Sequence, residues 1–384
     1  MISYDHRDPD LLADVGEHFI VGFEGAHETA PPAIADALES RAIGGVICFR
    51  RNLEHIDQIA ALTADIHARV PDDALPPWIA IDQEGGRVTR IDDPLTPIPP
   101  MATLGKAADL RDVGRISEVM ATELATLGFT LNLAPVLDVH SNPDNPVIGD
   151  RAFSSDPTRV ARCGAGFMLG HHTAGVVPCG KHFPGHGDTD VDSHHDLPVL
   201  EHDRQRLNQI ELYPFERAIA ADIPMLMTAH LMVPAIDPTY PATLSRRILT
   251  DLLRDELGFE GLVITDCLEM KAVSEHYGID EMLDLGMAAG VDIFLISHSR
   301  DKWQTAIDHL YRAAEEDPEK RAKIGANADR IRATRRQLLG HWPRPYRPPS
   351  DLLDHLGQPH HRALVDPYLS DAPAGADPTE PSQA

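Results

Sequence analysis

A chain of 384 residues with 60 acidic and 34 basic side chains has a formal charge of −26. That charge excludes sequence-independent binding to nucleic acid or to anionic lipid, because both need a basic surface. The length admits one barrel of about 250 residues or more, or two ordinary domains, and no run of ~18 uninterrupted apolar residues exists to cross a membrane. The stretch Met1 to Gly16 is polar and acidic, so a cytoplasmic location is the expectation. Cys48, Cys163, Cys179 and Cys267 are scattered and form no CxxC pair; we read them as reduced, mostly buried thiols, neither disulfides nor zinc ligands. Only six of the 34 basic residues are lysine, which fits a surface adapted to high salt and fits ordinary compositional drift equally well.

In chain order, short apolar runs alternate with amphipathic ones. Residues 19–23 read as a first strand and 44–49 as a second, with a helix over 33–40 between them. Trp78 to Ile81 is a third. The helix that follows repeats Leu110, Val113, Ile116, Met120, Leu124 and Leu127 every three or four positions, and Gly128 is its stop signal. Further strands are expected over 129–139, 176–179, 224–227, 262–264 and 293–296. Helices with Trp303, Ile307 and Leu310, and with Arg330 to Leu339, follow. Eight apolar strands alternating with helices predict a parallel sheet, and eight closes a (β/α)8 TIM-type barrel; an open doubly wound sheet is the alternative. We expect one catalytic domain over 1–340 and, from nine prolines beyond His341, a Pro-rich surface tail over 341–384 whose end is disordered. The oligomeric state expected by default is a monomer.

Polar groups gather after the strands. Asp82-Gln83-Glu84-Gly85-Gly86-Arg87-Val88-Thr89-Arg90 follows the third, Asp150-Arg151 the fourth, Lys181-His182-Phe183-Pro184-Gly185-His186-Gly187-Asp188 the fifth, His230 the sixth and Asp266 the seventh. In a barrel all of these sit on one rim, where active sites are built. Each has a plainer reading alone: an Asp after a strand is usually a helix cap, Arg87 and Arg90 can simply pair with Asp82 and Glu84, and His230 can be a satisfied barrel histidine. Their joint placement favours chemistry. His182, His186, His194 and His195, interleaved with Asp188, Asp190 and Asp192, also offer ligands for a metal-dependent hydrolase. That run has no helical HxxxH pair, and His186 sits between two glycines; the expected cofactor and metal are therefore none.

The run Lys181 to Gly187 followed by Asp192-Ser193-His194 resembles the signature of the β-N-acetylglucosaminidases of glycoside hydrolase family 3. The resemblance extends to Asp82 to Arg90, Gly149 to Phe153, Met227 to His230 and Gly261 to Asp266, over roughly residues 15–340. It implies a nucleophile at Asp266 and a general acid/base at His194 with Asp192 as partner. Asp82, Arg90, Arg151, Lys181 and His182, with His230, would bind an N-acetylglucosamine unit. The implied activity is retaining, exo-acting removal of terminal β-linked N-acetylglucosamine, from anhydro-muropeptides in cell-wall recycling. Cys267 and His195-Asp196 depart from the usual pattern without removing a reactive group. A retaining glycosidase needs a carboxylate to form the ester and a second group that donates and then accepts a proton. An imidazole with pKa about 6.5 can do both halves. A neutral imidazole repels phosphate less than a carboxylate does, so a phosphorylase is the alternative. A sugar-binding module without catalysis is disfavoured by the presence of both Asp266 and the 192/194 pair.

Overall fold

The computed structural model describes residues 4, 6–189, 197–369 and 377–379. Eight strands form one sheet: β1 (Phe19–Val21), β2 (Gly45–Cys48), β3 (Trp78–Ile81), β4 (Leu131–Asn132), β5 (Val177–Phe183), β6 (Met225–Thr228), β7 (Leu262–Thr265) and β8 (Phe294–Ile296). Their order is β7-β6-β5-β4-β3-β2-β1-β8, every pairing is parallel, and a bridge from Ile264 to Ile293 joins the two ends. The closed (β/α)8 barrel expected from eight apolar runs is the fold. Every strand residue is buried on both faces, which is why the runs read as continuous rather than alternating.

The helix Leu110–Thr126 buries Val113, Ile116, Met120 and Leu124 on one face, and its chain direction reverses through Gly128 at φ +85°. It packs against the helix Pro157–Ala174, which is capped by Asp156 and ended by a left-handed Gly175. Burying each such Leu or Ile side chain contributes on the order of 2 kcal/mol.

Two strands differ from expectation. The fourth keeps only Leu131–Asn132 as regular strand, because Pro135 has no N–H for the ladder; its continuation still touches β5, with Lys181 N donating to Pro135 O and Leu137 N to Lys181 O. The fifth, expected to open into a loop at residue 180, runs on to Phe183. It is held on that side by residues 135–137 and on the other by the Ala229 N–H to Phe183 O bond of 2.7 Å. Lys181 and His182 therefore project from a strand, which fixes them more tightly than a loop does.

The chain beyond His341 packs against the barrel's outer helices. The indole of Trp342 donates to Gly175 O, the Tyr346 hydroxyl donates to Thr126 O, and His67 stacks on the Trp342 ring and lies tilted against that of Tyr346. A helix, Pro359–Val365, follows. Gly357 N and His361 reach the buried Glu123 carboxylate, and Arg362 donates to Pro94 O in the loop after β3. The expected disorder of 371–384 falls outside the described residues except at 377–379.

Candidate active site

Asp82 directly follows β3, Lys181 and His182 end β5, His230 follows β6 and Asp266 follows β7. Arg90 lies in the loop after β3 and Arg151 in the 3-10 turn Gly149–Arg151 after β4. These five segments, at the ends of β3 to β7, thus open on the carboxyl end of the barrel.

Four of these side chains, Arg90, Asp82, Lys181 and Arg151, make one row of alternating charge with Glu84, which lies two residues beyond Asp82. Arg90 Nη2 lies 3.5 Å from Asp82 Oδ2, and Lys181 Nζ reaches Asp82 Oδ1 at 2.7 Å and Glu84 Oε1 at 2.6 Å. Arg151 grips Glu84 with two bonds of 2.8 Å, the bidentate geometry that makes such a pair strong and directional. Burial alone would raise the Glu84 carboxyl, but Arg151 and Lys181 together outweigh it and hold Glu84 well below the usual carboxylate range. Burial would likewise discharge Lys181, and the carboxylates of Asp82 and Glu84 instead keep it charged. Arg87, which the sequence pairs with Asp82 or Glu84, goes to Asp150 at 2.7 Å.

Sequence reasoning missed Asp138. It is fully buried, receives the His182 and His186 backbone N–H groups on Oδ1, and meets His182 Nδ1 at 2.7 Å with Oδ2. Although burial opposes it, the facing imidazoles lower its pKa. A carboxylate on Nδ1 fixes that nitrogen as the protonated one and leaves Nε2 for a ligand. The only sequence signal was a lone acid between Leu137 and Val139 in an apolar run.

His186 is buried and bonds Thr189 Oγ1 through Nδ1; desolvation and the neighbouring His182 push it down to about 4, so it is neutral at pH 7. Both ring nitrogens of His230 engage the protein, Nδ1 with the Thr243 hydroxyl at 2.8 Å and Nε2 with Cys267 O at 3.0 Å. It therefore props the turn that carries Asp266. Asp266 is half-buried and accepts the Cys267 N–H on Oδ1 at 2.7 Å. Burial pushes the Cys267 thiol up to about 12, so this departure from the family pattern places no thiolate beside Asp266.

Asp192 and His194 lie outside the described residues, as do Asp190 and His195 among the metal candidates. The flanks of that segment are tied together. Asp188, before it, pairs with His202, after it, and the Arg206 guanidinium reaches Asp188 and Glu211 at 3.5 and 3.2 Å. One ligand atom each of Asp188, His202 and Glu211 falls within 4.8 Å of the others, but the arginine already supplies the positive charge that two carboxylates need. The approach to this segment is narrow: a Cβ on Gly187 would stand 1.8 Å from Val139 O. Gly187→Ala must therefore shift backbone. We expect it to lower both thermal stability and activity, read by melting and by initial rates; a variant equal to wild type in both would show that the close approach is unimportant.

Comparison with known proteins supplies a family. Residues 18–334 match the glycosyl hydrolase family 3 N-terminal domain. Beta-hexosaminidase A of Pseudoalteromonas piscicida is 40% identical over 291 residues, covering 71% of this chain and 48% of its own length, so the chain spans about half of that relative. A glycoside hydrolase family 3 β-N-acetylglucosaminidase from Paenibacillus superposes with a TM-score of 0.86 at 38% identity, covering 93% of this chain and 68% of its own. NagZ of Neisseria gonorrhoeae, solved with N-trifluoroacetyl-D-glucosamine, gives 0.74 at 31% identity and covers 92% and 98%.

Proposed function

The chain belongs to glycosyl hydrolase family 3, and on that premise we propose that it is a retaining exo-β-N-acetylglucosaminidase. The observation that carries the reading is the buried row from Arg90 to Arg151, laid across the carboxyl ends of β3 and β5 on the same rim as Asp266. Its charged groups are fixed in advance, so they can hold a sugar's hydroxyls without reorganising. The relatives' names support an N-acetylglucosamine unit as what that site receives.

In this reading Asp266 attacks the anomeric carbon while His194 protonates the departing glycosidic oxygen. The bond to Asp266 forms as the bond to the leaving group breaks. His194, now neutral, takes a proton from water as the water oxygen bonds to the anomeric carbon and the ester bond to Asp266 breaks, which releases the sugar with its β configuration retained. Asp192 stabilises the imidazolium from which the first step starts and which the second step regenerates. His182 Nε2, Lys181, Asp82, Arg90 and Arg151 bind the sugar, and His230 acts as a positioning residue behind Asp266. The segment beyond residue 340 is read as an appendage of a single catalytic domain, and the protein as a cytoplasmic monomer. The leaving group favoured by the family resemblance is anhydro-N-acetylmuramic acid carrying peptide, as in cell-wall recycling.

The test is release of p-nitrophenol from its β-N-acetylglucosaminide and its β-glucoside, with phosphate or EDTA added separately. Activity on the first sugar alone, indifferent to both additions, is expected. Formation of sugar-1-phosphate would convert the assignment to a phosphorylase, and loss of activity to EDTA would mean a metal-dependent hydrolase.

A further inference from the structure

The charge row does not end at Arg90. Its guanidinium pairs through Nη1 with the Asp377 carboxylate and donates through Nη2 to Thr379 Oγ1 at 2.6 Å, 289 residues away. Asp377 and Thr379 brace each other around Pro378: Asp377 Oδ1 accepts the Thr379 backbone N–H at 2.8 Å and its hydroxyl at 2.7 Å. The Arg90 side chain is wholly shielded and that of Asp377 is 13% exposed, so this is a desolvated contact, where a charged pair is screened little by salt.

Charge and tether both suit the contact. The row itself has three cations, Arg90, Lys181 and Arg151, against two carboxylates, Asp82 and Glu84, so an anion at its Arg90 end improves the balance of a buried site. Beyond Arg362 the chain has no lysine or arginine but contains Asp366, Asp371, Asp377 and Glu380. The segment is also anchored close by. Arg362 bonds Pro94 O in the same loop that carries Arg90, and the Tyr368 hydroxyl donates to Asp112. A short tether of this kind gives a ligand an effective concentration on the order of millimolar.

We propose that residues 377–379 are an internal ligand of the active site, occupying the Arg90 guanidinium so that substrate must displace them to bind. The proposal rests on the reading of Arg90 as a sugar-binding residue. A site open for only one tenth of the time has an apparent affinity about tenfold weaker than the open site.

Removal of residues 370–384 is therefore expected to lower KM for the p-nitrophenyl N-acetylglucosaminide severalfold with kcat within about twofold of wild type. Asp377→Ala with Thr379→Ala in the full chain should do the same. An unchanged or raised KM in either would overturn the proposal. A readout independent of turnover is binding of a fluorescein-labelled peptide of residues 371–384 to the truncated protein, followed by anisotropy. Binding that is competed by N-acetylglucosamine and lost in Arg90→Ala is expected; no binding, or binding indifferent to Arg90→Ala, would overturn it. If neither full-length nor truncated protein cleaves the sugar, the enzymatic reading fails and the peptide measurement still decides whether the segment docks.

Discussion

Asp266→Asn is expected to reduce hydrolysis of a β-N-acetylglucosaminide by about 10³-fold or more, with the fold and melting temperature unchanged. The amide keeps the side chain's size and can still accept the Cys267 N–H on its oxygen, the 2.7 Å bond that orients the carboxylate. It cannot form a stable glycosyl ester. The loss should lie in kcat rather than KM, because sugar binding is assigned to the row from Arg90 to Arg151 on other strands. A variant retaining a tenth of wild-type activity would remove Asp266 from the mechanism.

Glu84→Gln should have the largest effect on stability. Glu84 is 1% exposed and accepts two bonds from Arg151 and one ion pair from Lys181. A neutral amide leaves those two cations facing each other with, among the described carboxylates, only Asp82 and the more distant charge of Asp138 on Arg151 to balance them. Breaking one member of a buried ionic network costs about 3–5 kcal/mol, measurable as a lower urea midpoint. The pH dependence follows from the direction of the shift. The Glu84 carboxyl is held well below its ordinary value of 4.5, so its contribution is complete above that pH and is lost as the pH falls through the folded-state value. The stability gap between wild type and Glu84→Gln should therefore narrow on acidification below about 4.5. A gap under about 1 kcal/mol at neutral pH would mean that solvent or rearrangement compensates the cations. Lys181 would also be displaced, so the same substitution should raise KM.

Most of the barrel was legible because buried parallel strands leave a continuous apolar run, as Trp78–Ile81 and residues 262–264 do. The extension of β5 was not, because its last residues include Lys181 and His182, whose polarity imitates a loop. They stay in the sheet because the backbone of Pro135 and Leu137 bonds Lys181, the Asp138 carboxylate takes the His182 N–H, and Ala229 N–H holds Phe183 O on the other side. The partner of Glu84 was equally hidden. Arg87 and Arg90 are close in sequence, whereas Arg151 is 67 residues away and arrives only because the segments after β3 and β4 are adjacent in the barrel. Asp138 was masked by its apolar neighbours, and the contact of Asp377 with Arg90 has no signature in either local sequence. The assignment of Asp192 and His194 rests on the family motif alone.

The proposed mechanism turns on Asp266 forming the covalent bond to the sugar. It is tested most directly by incubating the protein with a fluorinated N-acetylglucosaminide that carries a good leaving group and slows release of the glycosyl enzyme, then mapping the adduct by peptide mass spectrometry. One added sugar is expected on the peptide containing Asp266, absent from Asp266→Asn. An adduct on another residue, or turnover to the α-configured product with no adduct, would contradict it.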